Sequence, residues 1–79
     1  MYLIEAERRA RRWSQTVLAA HAGKLSQADI SKFERGRAVP RPSQAERLSR
    51  VLGVSPDSLM RKVREPGAPA PVDVEAIRG

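Results

Sequence analysis

Apolar residues recur along the chain at helical spacing, in short blocks separated by Ser, Gly and Pro. Leu3, Ala6, Ala10 and Trp13, with Ile4 beside them, form the first block. The span from Leu3 to Arg12 lacks Gly and Pro and is rich in Ala, Glu and Arg, so it is predicted as a helix. Glu5 and Glu7 lie near its start, and Arg8, Arg9, Arg11 and Arg12 lie later, which suits the helix dipole. Ser14 reads as the N-cap of a second helix, Gln15 to about Ala22, with Val17, Leu18 and Ala22 inward and Gly23 as its stop. Ser26 caps a third helix from Gln27 to Arg35. Asp29 completes a box-like start, Ile30 and Phe33 face inward, and Gly36 ends it.

Pro40 and Pro42 bracket an extended connection. Ser43 with Glu46 forms a capping-box pattern for a fourth helix, Gln44 to Leu52, whose core face is Leu48, Val51 and Leu52 and whose stop is Gly53. Ser55, Pro56 and Asp57 are a cap followed by a first-turn proline. They open a short fifth helix to about Arg64, with Leu59, Met60 and Val63 as its apolar residues. The expectation is an all-α, compact five-helix domain over residues 1–65, followed by a flexible Pro/Ala-rich tail over 66–79. Three prolines between Pro66 and Pro71 make the start of that tail an extended linker.

Composition narrows the function. The chain has 79 residues, enough for one small domain. No apolar run approaches the ~18 residues of a membrane span, and the N-terminus has no apolar core of a signal peptide. There is no cysteine, and His21 is the sole histidine, so neither a disulfide framework, a zinc site nor a His-based triad is expected. So small a core leaves little room for a walled substrate pocket, and no cofactor and no enzymatic activity are expected. Charge adds the positive clue. The net charge is +6, and residues 1–65 alone hold 14 basic and 7 acidic side chains. Twelve of the 15 basic residues are arginine, whose planar fork fits phosphates and guanine edges.

Two short helices joined by a Gly-containing turn, Gln15 to Gly36, follow the helix-turn-helix pattern. The major groove of B-DNA, about 12 Å wide, admits one helix, whose N-terminal side chains reach base edges. With Ile30 and Phe33 inward, the second helix shows Gln27, Ala28, Ser31 and Lys32 outward. None of these is a bulky apolar group that would block the groove.

At this point the chain resembles the lambda-repressor/Cro superfamily, also called the XRE family. The resemblance rests on Ser14-Gln15, Leu18-Ala19, the run Ile30-Ser31-Lys32-Phe33-Glu34-Arg35-Gly36, a following Pro40 or Pro42, Leu48, and Val51 to Ser55, and it covers about residues 4–63. It implies a lambda-repressor-like fold. It implies that Gln15 contacts a phosphate and steadies the first recognition side chain, with Ser14 beside it on the backbone. Base contacts would fall to Gln27, Ala28 and Lys32, with Ser31 adjacent. Gln27 suits adenine, Ala28 a thymine methyl, and Lys32 guanine or a phosphate. Asp29 is chemically able to accept from cytosine, but repulsion by phosphates favours its capping role. Arg8 would pair with Glu34 to tie helix one to the end of helix three. Arg35, Arg37 and Arg41 would grip the backbone. Two departures stand out. The distance from Gln15 to Gln27 is one residue longer than the family pattern, near Gly23-Lys24, and Glu7 occupies a position expected to be apolar.

One recognition helix reads about 3–5 base pairs, too few to single out a genomic site, so a C2 homodimer on an inverted repeat is expected. The resemblance places dimerisation around Val54, Pro56, Asp57, Ser58 and Leu59; the other reading of that segment is closure of a monomer core. The leading function is a sequence-specific regulator acting on double-stranded DNA, in a bacterial or phage-encoded setting, cytoplasmic and nucleoid-associated. An alternative is the antitoxin of a toxin–antitoxin pair, binding DNA through the same helices and a toxin through residues 66–79. A third is a protein-interaction domain that has lost DNA binding, against which the positive excess argues.

Overall fold

A computed structural model describes residues 1–64; the tail expected over 66–79 lies outside the described residues. Four α-helices and one 3-10 turn follow in order: α1 Leu3–Ala10, α2 Gln15–Ala22, α3 Gln27–Glu34, α4 Pro42–Leu52, and the turn Pro56–Ser58. Ile4, Leu18, Ile30, Leu48, Leu52 and Leu59 are fully buried and draw one residue or more from every element except the 3-10 turn, which Leu59 follows directly. Phe33, Ala19 and Ala22 complete the cluster. Each large apolar side chain removed from water contributes about 1.5–3 kcal/mol, so this cluster fixes how α2 and α3 sit against the rest.

The caps at the start of α2 and α3 form as the sequence indicates. The Ser14 hydroxyl accepts from the Val17 N–H at 3.1 Å. The Ser26 hydroxyl accepts from the Asp29 N–H at 3.2 Å, and the Asp29 carboxylate accepts from the Ser26 N–H at 3.0 Å. α1 stops at Ala10, short of the expected Arg12. Arg12 takes a left-handed conformation, φ 58°, and the Arg12 and Trp13 N–H groups donate to the Arg9 and Arg8 carbonyls. That is a Schellman closure. α3 ends in the same way one residue before the expected Arg35, with Gly36 at φ 71° and the Gly36 and Arg37 N–H groups donating to Phe33 and Lys32. A side chain at Gly36 would be strained by the positive φ and would also force Tyr2 to shift, because a Cβ there would lie 2.7 Å from the Tyr2 hydroxyl.

Three expectations need correction. α4 begins at Pro42, not Gln44: proline fits the first helical position, and the Gln44 side chain accepts from the Arg41 N–H at 2.8 Å, so the Ser43–Glu46 box is not used. Glu46 instead pairs with Arg50 along the helix. In α2 Val17 is an exposed residue, and Ala19 takes the buried place. The fifth helix shrinks to the turn Pro56–Ser58. Residues beyond it run back along the N-terminus, where Tyr2 and Lys62 form an antiparallel bridge. The Leu3 N–H donates to the Arg61 carbonyl and the Val63 N–H to the Met1 carbonyl, each at 2.7 Å. An isolated helix of this length is marginal, and the free backbone groups of residues 1–3 offer these residues other partners. The fold is therefore four α-helices with a 3-10 turn. Among the described residues no helix is long and apolar enough to cross a membrane.

Candidate nucleic-acid interface

The turn between α2 and α3 contains two consecutive residues with positive φ, Gly23 at 76° and Lys24 at 56°. The helix starts still meet: the Gln27 side-chain amide donates to Gln15 Oε1. The Gln15 amide in turn donates to Glu34 Oε1 at 3.0 Å. Glu34 is buried, and its carboxylate is held by a two-pronged contact from Arg8, Nε at 2.6 Å and Nη2 at 3.0 Å. Arg8 Nη1 donates to the Trp13 carbonyl at 2.8 Å, just ahead of the Ser14 cap. The hydrogen bond from Arg8 to Glu34 raises the Arg8 pKa further above its already high value, outweighing the opposing effect of burial. A polar chain thus runs from the interior to the surface: Arg8, Glu34, Gln15, Gln27. Its last member stands at the first position of α3.

Gln27, Ala28, Ser31 and Lys32 share one face of α3 and line a shallow concavity of about 250 Å³ with Arg35 and Arg37. Gln27, Ala28 and Lys32 are exposed and Ser31 is half-buried. This is the face anticipated from the sequence. Arg35 and Arg37 belong to its rim. Arg41 is exposed but stands apart, as the N-cap of α4. Ser14 and Gln15 begin α2 beside Gln27. Asp29 is committed to the Ser26 cap, and the hydrogen bond from the Ser26 backbone holds its pKa below the usual carboxylate range.

Unpaired cations border this face. Glu5, Glu7 and Glu46 each pair with an arginine four residues on, and Glu34 pairs with Arg8. Lys32, Arg35, Arg37 and Arg41 have no carboxylate within 4.0 Å among the described residues. Lys32, Arg35 and Arg37 give the concavity a positive field. Glu7, at the position expected to be apolar, is half-buried against Arg11, 3.0 Å away.

The expected dimerisation residues divide. Leu59 is 1% exposed and Ser58 9%, so both are buried within the monomer. Pro56 and Asp57 are exposed and Val54 is half-buried. Pro56 and Asp57 border an apolar groove of about 590 Å³ shared with Val39, Pro40, Pro42 and Met60. Sequence reasoning missed this groove, whose walls come from two loops and the start of α4. It also missed the stack of Trp13 on His21, centroids 4.3 Å apart, and the Gln15–Glu34 hydrogen bond. Residues 19 positions apart leave no periodic trace; the Gln at the start of α2 and the buried carboxylate ending α3 were the only cues.

Among the described residues no cluster of side chains suits a metal ion. No similar curated protein and no similar solved structure was found. The family model described as a helix-turn-helix domain matches residues 3–62, which spans all four helices and the 3-10 turn. The chain belongs to the helix-turn-helix domain family.

Proposed function

We propose that the chain is a sequence-specific regulator of transcription of the XRE/Cro kind, which inserts α3 in the major groove of double-stranded DNA. One observation carries this reading. The concavity on α3 presents polar and small side chains inside a rim of unpaired arginines, and its leading residue, Gln27, is oriented from within by Gln15 and the Arg8–Glu34 pair. Base edges need donors and acceptors held at fixed angles, and phosphates need unpaired cations; this face supplies both. In this reading Gln27, Ala28, Ser31 and Lys32 meet bases, while Ser14, Gln15, Arg35, Arg37 and Arg41 meet the backbone. The protein acts in the cytoplasm and catalyses no reaction.

The active form is a homodimer on an inverted repeat. The apolar groove beside Pro56 and Asp57, with Val39 73% exposed at its edge, supports pairing on that side. The test is selection of bound duplexes from a random pool at about 0.15 M salt, the range where specific contacts are measured against screened charge. Enrichment of an inverted repeat with half-sites one or more turns apart is expected. Retention without enrichment would reduce the protein to charge-driven binding and favour a protein partner, such as a toxin, as the source of specificity. No retention would refute the DNA reading.

A further inference from the structure

The starts of α2 and α3 carry the same four-residue pattern. Arg12-Trp13-Ser14-Gln15 and Lys24-Leu25-Ser26-Gln27 each run as a cation, an apolar residue, a Ser cap and a Gln. Trp13 and Leu25 both pack on the core cluster, Ser14 and Ser26 both cap, and the two Gln side chains are bonded to each other. Arg12 and Lys24 therefore stand at matching places, each three residues ahead of one member of the Gln15–Gln27 pair.

Both side chains are exposed and have no carboxylate partner within 4.0 Å among the described residues. The contrast lies in the basic run that closes α1, where Arg8, Arg9 and Arg11 pair with Glu34, Glu5 and Glu7. Arg12 alone of that basic run is left to solvent. Arg12 and Lys24 are also the only non-glycine residues among those described with positive φ. Glycine occupies that conformation without penalty and does so at Gly36, the equivalent closure of α3. Keeping a cation in a costly backbone conformation at two matched places has no packing reason, since neither side chain is buried.

We infer that Arg12 and Lys24 form a pair of phosphate contacts that seat the starts of α2 and α3 on the DNA backbone, in addition to Arg35, Arg37 and Arg41. The inference rests on the DNA reading above. Each cation neutralises one phosphate and adds about 0.9 to the salt slope of binding, and neither reads a base.

The experiment measures the binding of the full chain to a random-sequence 20-bp duplex by fluorescence anisotropy between about 0.05 and 0.2 M salt, the range over which phosphate contacts dominate affinity. The variants are Arg12→Gly and Lys24→Gly, singly and together. Glycine relieves the positive φ, so the melting temperature is expected to hold or rise, and weakened binding then cannot be laid to misfolding. Arg12→Asn, which also tolerates this conformation, serves as the second variant. Lys62→Gln removes one charge from the bridge to Tyr2 as a control for net charge alone. Each single variant is expected to flatten the log–log slope by about 0.9, and the double by about 1.8, with the order of preferred sequences unchanged. Slopes equal to the parent's, or an equal flattening in Lys62→Gln, would overturn the clamp while leaving DNA binding by the parent intact. A parent that binds no duplex would overturn the DNA reading and the clamp together.

Discussion

Gln15 receives a hydrogen bond from the Gln27 side chain and gives one to Glu34, so the first residue of α3 is coupled to a buried carboxylate through the first residue of α2. Direction matters in this relay. With Glu34 acting as acceptor, the Gln15 amide turns its oxygen outward, and Gln27 spends one amide hydrogen on it. Gln27 keeps its carbonyl oxygen and its other amide hydrogen, the acceptor–donor pair that adenine matches.

Gln27→Ala is accordingly expected to lower affinity for the selected site by about 1–3 kcal/mol and to relax one base position. Gln15→Ala should lower it too. The two losses should not add: a double-mutant cycle by anisotropy titration should return a coupling of at least about 0.5 kcal/mol. Strict additivity would mean that the relay does not operate on DNA.

Acid should loosen the start of α3. The Asp29 carboxylate accepts from the Ser26 N–H, which lowers its pKa below the ordinary value of about 3.9. A lowered folded-state pKa contributes stability at pH above the ordinary value, and this contribution fades as pH falls below it toward the folded value. Asp29→Asn removes the titration. Denaturation curves for parent and variant should therefore converge as the pH drops from about 5 to 3. A gap that stays constant across that range would show that the carboxylate charge is not what the cap uses.

Gly36→Ala is expected to destabilise the fold by about 2–3 kcal/mol, from the left-handed backbone and from the clash with Tyr2. The two causes separate experimentally. In a Tyr2→Ala background the clash is gone and only the backbone part, about 1–2 kcal/mol, should remain. Urea denaturation of the four proteins decides this. An equal cost in both backgrounds would exonerate Tyr2.

Features written in neighbouring residues were legible in the sequence. Ser14 and Ser26 as caps, Gly36 as a stop, and the inward pair Ile30 and Phe33 depend on one turn of helix each. The outward face of α3 followed from that pair. What was not legible depends on distant chain. The fate of residues 59–64 is decided by residues 1–3, which supply backbone partners that a local helix reading ignores. Val17 is exposed because α2 turns Leu18, Ala19 and Ala22 to the core, and three small or medium apolar residues in a row leave the face ambiguous by one position. Pro42 reads equally well as extended chain or first helical residue, and the Gln44 side chain on the Arg41 N–H tips the balance. The Arg8–Glu34 pair came from family resemblance rather than from spacing.

That pair separates stability from function. The Arg8 and Glu34 side chains are 13% and 4% exposed, so removing one leaves the other charged and desolvated. Glu34→Ala is expected to cost about 3 kcal/mol or more, because Arg8 keeps only the Trp13 carbonyl and Gln15 loses its acceptor. Arg8→Met with Glu34→Leu removes both charges at similar volume, and such replacements are often neutral or stabilising. Chemical denaturation should then show most of the lost stability regained. DNA binding should not recover with it. With no carboxylate behind it, Gln15 is free to rotate, Gln27 loses its support, and the selected site should still bind more weakly than it does the parent. Recovery of both properties in the double variant would make the ion pair a fold element alone. Recovery of stability without affinity would show that the interior of this small domain sets the aim of its recognition helix.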